Sequence, residues 1–179
     1  MTDKELKELV ASLAVFQKET ELQQRDTDKQ IKELGKQIGK LGNSMGNIAE
    51  GLAYPSIEHE LRAKFKAEVV SQNVKRWKGN ENFEIDILAY SNSKNNEVYI
   101  VEIKTTINKD TIEQIKKILL KFRNYFPEHN DKKLYGIICG LKYDEKDVLE
   151  IYDNGLYFAD VNTGLFTIHT PKNFHPKEF

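Results

Sequence analysis

From Leu6 to Leu52 a heptad of mostly apolar positions, spaced alternately three and four apart, holds without a break. Leu6, Leu13, Thr20, Thr27, Leu34, Leu41 and Ile48 fall at the d positions of a heptad, and Val10, Gln17, Gln24, Ile31, Ile38, Met45 and Leu52 at the a positions. A 3.5-residue repeat of this length predicts a coiled-coil helix, roughly 70 Å long at the usual rise. Its seam needs covering, and self-association through residues 6–52 is the simplest cover. Branched residues at a with Leu at d favour a parallel homodimer. Leu9 and Phe16, both at g, widen the stripe and leave a higher oligomer open. The middle layers (Gln17, Thr20, Gln24, Thr27) weaken the seam and fix its register. A helix folded back on its own body is the alternative. A second stripe, Gly35, Gly39, Gly42, Gly46, Ala49 and Ala53, runs beside the last third of the seam. Each helical glycine costs about 1 kcal/mol relative to alanine, so their strict spacing predicts a close neighbour on that face rather than a break. Pro55 predicts a kink or stop, followed by a second helical stretch carrying Ile57, Leu61 and Phe65.

Beyond residue 66 the period changes to two. Ala67 to Trp77 reads as a first strand and Lys78 to Asn82 as a turn. Phe83 to Tyr90 (FEIDILAY) and Val98 to Lys104 (VYIVEIK) read as two further strands. The turn-rich loop SNSKNNE between them makes them an antiparallel hairpin. On alternation alone, Glu84, Asp86, Leu88 and Tyr90 share one face of the second strand, and Phe83, Ile85, Ile87 and Ala89 the other. In the third strand Val98, Ile100, Glu102 and Lys104 share a face, opposite Tyr99, Val101 and Ile103. That face switches from apolar to charged partway along, which a strand that only covers a core does not need. Asp86 and Glu102 are expected to meet near one end of the hairpin. Two carboxylates at that range repel unless a cation lies between them, and such an oxygen set suits Mg²⁺. An amphipathic helix from Ile112 to Phe126 follows, capped by Asp110 or Thr111. Next come a buried strand at Leu134–Cys139, a short helix at Glu145–Tyr152, and strands at LYFAD and LFTIHT.

The 179 residues suggest one domain with an appendage. Lys plus Arg is 27 against 28 for Asp plus Glu, so no bulk field draws nucleic acid and any such surface must come from local clusters. The single cysteine, Cys139, excludes an internal disulfide, fits a reducing compartment and reads as a buried structural thiol. No apolar run approaches membrane-spanning length, and the N-terminus lacks a secretory apolar region. A soluble, cytoplasmic protein without a membrane partner is expected. The four histidines are scattered without metal-ligand spacing, and no phosphate-binding glycine loop is present.

The order helix, three strands, helix, strand, with Asp86 followed by Glu102-Ile103-Lys104, resembles the PD-(D/E)XK nuclease superfamily, the restriction-endonuclease-like fold, over about residues 46–160. The superfamily's motif is an acid at the end of the second strand, then acid, any residue and lysine on the third. Many members add a glutamate on the first core helix, where Glu50 stands. Two departures are visible. Ile85 precedes Asp86 in place of the frequent proline. Gln114 is followed one turn later by Ile118 rather than tyrosine, which speaks against an exonuclease-like subfamily.

The resemblance implies an α/β fold. A long coiled-coil oligomerisation helix (residues 1–45) would precede a nuclease-like domain (residues 46–179) with a central mixed β-sheet flanked by helices. It also implies hydrolysis of phosphodiester bonds in nucleic acid, DNA first. Asp86, Glu102 and the Ile103 carbonyl would hold Mg²⁺ or Mn²⁺. Lys104 would position water or stabilise charge on the phosphate, and Glu50 would complete the shell. Two basic runs flank this set, Arg62, Lys64, Lys66, Lys75, Arg76 and Lys78, and Lys109, Lys116, Lys117, Lys121 and Arg123. The rival readings are a surface salt-bridge cluster on an inactive, oligomerising scaffold or binding module, and a nuclease that acts only within a larger assembly.

Overall fold

The computed structural model describes the backbone of residues 3–162 and 165–179, and their side chains except at 3, 5–12, 14, 15, 35–50, 52 and 162. The chain divides into two compact units, Met1–Ser44 and Met45–Phe179.

Helix α1 runs from Asp3 to Phe65. It continues through all four glycines and through Pro55, so the expected stop is absent. The reason is packing. Ala53, Ile57 and Leu61, on either side of the proline, are fully buried. Burial of Ile57 and Leu61 is worth about 3 kcal/mol or more together, enough to offset the roughly 3 kcal/mol cost of an interior proline. The Ser56 hydroxyl also donates to the Ala53 carbonyl at 3.1 Å. In the first unit the described residues from Phe16 to Leu34 are all exposed. The seam positions Leu6, Val10, Ile38, Leu41, Met45, Ile48 and Leu52, Leu9 at g, and the stripe from Gly35 to Ala49 lie outside the described side chains.

Among the described residues of the second unit, six strands form one mixed sheet in sequence order. They are β1 (Val69–Lys78), β2 (Glu81–Tyr90), β3 (Glu97–Thr106), β4 (Lys133–Lys142), β5 (Tyr157–Asn162) and β6 (Leu165–His169). β1–β2, β2–β3 and β5–β6 are antiparallel, while β3, β4 and β5 run parallel. Parallel neighbours need crossovers, supplied by α2 (Lys109–Tyr125) and α3 (Glu145–Asp153). Both crossovers pack on one face, over Val98, Ile100, Leu134, Ile138 and Phe158. The end of α1 packs on the other, over Ile87, Tyr99, Val101, Ile137 and Ala159. Gly136 lets α2 and the α3–β5 connection close on the sheet, since an added Cβ would lie 2.7 Å from both Leu119 Cδ1 and Leu156 Cδ2.

Helix α2 is capped by Asn108 rather than by Asp110 or Thr111. Asn108 Oδ1 accepts from the Thr111 amide at 3.0 Å, and Thr111 answers as the far half of a capping box. The tail, for which the sequence predicts nothing, is tied down. Phe179 N donates to the Leu134 carbonyl, and Arg123 donates to the carbonyls of His129, Asn130, Lys132 and Phe179. Cys139 is fully buried, and burial pushes its thiol well above the ordinary range.

Candidate active site

The β2–β3 ladder is short. Ile87 to Tyr90 pair with Val98 to Val101, and there the ladder ends. Farther on, β2 keeps only β1 as a partner, and β3 keeps only β4. The two strands therefore part at Asp86 and Glu102, leaving a notch in the sheet. The cause is a local twist that alternation alone does not reveal. Asn73 lies across from Asp86, between the pairs Gln72–Ile87 and Val74–Ile85, and takes a φ of 52°, a conformation asparagine tolerates better than most residues. Across this point β2 changes faces. Ile87 and Ala89 join the α1 side, as alternation predicts for one face, but Phe83 and Ile85 join Leu88 on the α2 side. The expected single face for Phe83, Ile85, Ile87 and Ala89 is thus wrong, and the break falls at Asp86. In β3 the expected alternation holds.

Asp86 turns into the notch. Its Oδ2 accepts the Ile103 amide at 2.7 Å, taking the place of a β2 carbonyl in the missing ladder. Burial pushes the Asp86 carboxyl above its ordinary value, and nearby Glu84 adds to the rise. The Ile103 amide and the Lys104 ammonium pull against it. Glu102 is 3% exposed. Its Oε1 receives Lys104 Nζ at 2.7 Å and Gln114 Nε2, from α2, at 2.6 Å. Lys104 remains a third exposed, so the notch opens to solvent on its side. The structure thus gathers Asp86, Glu102 and Lys104, and Ile103 enters through its N–H. Glu50 belongs to α1, and its side chain lies outside the described residues.

The donor set fits a hard divalent cation. Two carboxylates supply oxygen ligands of the kind Mg²⁺ and Mn²⁺ take. Asp86 is half-buried, and desolvation outweighs the Ile103 amide and Lys104 in raising its carboxyl. Among the described residues no three His, Cys, Asp or Glu side chains gather as a ligand set, so any third protein ligand must come from backbone or from a residue such as Glu50.

Gln114 is the residue the sequence did not assign. The glutamine-plus-tyrosine pattern drew attention to its position without giving it a role. Its amide holds a nearly buried carboxylate in place, as supporting residues of metal ligands do. Glu84, which alternation puts on the same face as Asp86, is held by Lys75 at 3.1 Å and Asn82 at 2.8 Å. The first basic run is mostly spent on internal partners. Arg76 binds Glu128 and the Tyr125 carbonyl, Lys64 binds Glu60 and the Ile168 carbonyl, and Lys78 reaches the Asn124 carbonyl. In the second run Arg123 is structural. Lys117 and Lys121 line a groove of about 700 Å³ between α2 and the outer part of β2, whose wall includes Gln114. Glu84, Asp110 and Glu113 share that wall.

Fold and notch together define an α/β chain whose sheet is split at an acid–acid–lysine cluster. No family model matches it, and no curated protein does. Among solved structures it is similar to a repair endonuclease from Pyrococcus abyssi, at 12% identity and a TM-score of 0.38 over 62% of this chain and 47% of that one. It is also similar to EndoMS in a complex with double-stranded DNA, at 12% identity and 0.37 over 62% of this chain and 45% of the other. The match spans less than half the length of either structure. Likeness at this level assigns no activity.

Proposed function

We propose that this chain is a metal-dependent nuclease that hydrolyses phosphodiester bonds in nucleic acid, DNA first, and that its N-terminal helix makes it a homodimer or higher oligomer. The observation that carries this reading is the split between β2 and β3. A half-buried carboxylate, a nearly buried one held by an amide and an ammonium that stays a third exposed meet at a gap in a sheet, where a fold alone requires none of them. Asp86 and Glu102 would hold Mg²⁺ or Mn²⁺, with the Ile103 carbonyl and Glu50 as further ligands. When bound, the metal would supply Lewis acidity toward the phosphate and a lowered pKa for coordinated water. The Ile103 amide fixes Asp86, and Gln114 fixes Glu102, so the carboxylates are oriented before any ligand arrives. Lys104, freed from Glu102, would hold the attacking water or the developing charge on the phosphate, an interaction of a kind worth about 10²–10³ in rate. Lys117 and Lys121 offer phosphate contacts along the groove whose wall includes Gln114.

Support for self-association comes from the seam. Leu13, Ile31 and Leu34 are 58%, 63% and 56% exposed. The Thr20 and Thr27 hydroxyls donate to carbonyls of their own helix, Phe16 O at 2.8 Å and Gln23 O at 2.9 Å. Their polar groups are thereby satisfied, and the methyl groups stay available to a neighbouring helix. Two sites held together would cut both strands of a duplex.

A second reading has its own observation. Glu102 is already met by Lys104 and Gln114, a set that is stable without metal and would suit a binding module that does not cut. The test is cleavage of labelled single- and double-stranded DNA and RNA with Mg²⁺ or Mn²⁺, beside Asp86→Ala and Lys104→Ala. Metal-dependent cutting lost in both folded variants supports the nuclease. Cutting by either variant at the wild-type rate overturns the assignment, and nucleic-acid binding without cutting favours the module.

A further inference from the structure

A second cluster lies on the same sheet face, two strands away. Lys104 pairs with Gly140 across β3–β4, and Gly140 with Asp160 across β4–β5. Lys104, Gly140 and Asp160 therefore form one row at the carboxyl ends of three parallel strands, the edge where open α/β sheets take ligands. Two strand spacings put its ends about 10 Å apart. Ile107 fills the middle of the row, because Gly140 has no side chain to stop it; an added Cβ would lie 2.6 Å from Ile107 Cγ1.

At the far end of the row, Asp160 holds two rings at once. The Tyr143 hydroxyl donates to Asp160 Oδ2, and His169 Nε2 meets Asp160 Oδ1 at 2.6 Å. Beside them opens a pocket of about 470 Å³ with apolar and aromatic walls, among them Val148 and Leu149 of α3, Phe158 of β5 and Pro171. This size lies within the range of small-ligand sites. Leu149 is 64% exposed at its mouth. Glu145 and Asp160 are its acids, and among the described residues no lysine or arginine lines it.

We propose that this pocket holds a nucleobase of the strand whose phosphodiester lies at Lys104; the assignment rests on the nuclease reading above. The walls match the flat apolar faces of a base, and Tyr143 and His169, both fixed by Asp160, offer hydrogen bonds to one edge. A phosphate is disfavoured by the acids and by the missing cations. A peptide side chain that is purely apolar would leave the oriented Tyr143–Asp160–His169 set unused. Ile107 forms the sill over which the strand passes from one site to the other.

The test is an NMR titration of the full-length protein with each of the four 5′-deoxymononucleotides, with deoxyribose 5-phosphate as the control. Saturable shifts at the Leu149, Phe158 and Asp160 amides and the His169 ring are expected with at least one nucleotide and not with the sugar phosphate. Leu149→Asp, at an exposed position, should weaken binding about tenfold or more, the scale of a lost base–apolar contact. Shifts with sugar phosphate alone, no shift with any base, or shifts with only an apolar peptide would overturn the proposal. Binding here together with a lack of cleavage would sink the nuclease reading and leave the base site standing; cleavage without binding here would do the reverse.

Discussion

Asp86→Asn should stabilise the metal-free protein. The wild-type carboxyl sits above its ordinary value of 3.8, chiefly because it is buried. Folding therefore favours its protonated form. The sign follows: Asp86 contributes stability below its unfolded value, and that contribution is lost as pH rises through the raised folded value. For the ionised carboxylate, desolvation outweighs the Ile103 amide and Lys104. Asparagine keeps a carbonyl oxygen for the Ile103 N–H, now 2.7 Å from Oδ2. It loses the charge-assisted part of that bond, about 1 kcal/mol, and a Lys104 attraction screened by that residue's partial exposure. Against this stands relief of a desolvation penalty of several kcal/mol. A net gain of about 1 kcal/mol follows, or about 4 °C in Tm for a domain of this size. Thermal unfolding in EDTA at pH 7 and pH 4 measures it. The gain should be present at pH 7 and shrink at pH 4. Added Mg²⁺ should raise the wild-type Tm by mass action and leave the variant unmoved. A variant that unfolds below wild type at pH 7 without metal would refute the reasoning, and Asp86 would then be a structural partner of Lys104.

Three further outcomes are expected. Gln114→Ala removes the amide 2.6 Å from Glu102 and should weaken Mn²⁺ binding by about 10–100-fold, read by calorimetry, with the fold kept. Gly140→Ala would press on Ile107 at 2.6 Å and should cost about 1–3 kcal/mol in urea unfolding; a neutral result would mean that Ile107 moves freely. Ile31→Asp, on the exposed seam, should shift the species seen by sedimentation toward monomer at a fixed protein concentration, and an unchanged mass would remove residues 6–52 as the oligomerising element.

The legible part of the fold was the part set by period. Alternating strands, the stripe of α2 and the order of elements depend on local patterning, and Val98 to Lys104 fell on the faces that alternation assigns. What escaped depends on one residue's backbone or on distant packing. Asn73, with its positive φ, turns β2 over at Asp86, and nothing in the alternation of FEIDILAY records that. Pro55 reads as a stop until Ile57 and Leu61 are seen buried against the sheet. Gln114 is silent in sequence because its partner, Glu102, lies on another element. His169 looked unattached for the same reason: Asp160 and Tyr143 reach it only once β5 and β6 pair. The acids and lysine of the notch were legible because they interrupt an otherwise apolar face.

The parted strands should hold a cation between their carboxylates. Anomalous diffraction from Mn²⁺-soaked crystals answers this directly. A peak within about 2.3 Å of both the Asp86 and Glu102 carboxylates, with Lys104 displaced from Glu102, is the predicted result. A soak that leaves no peak there, with Lys104 still bonded to Glu102, would contradict it.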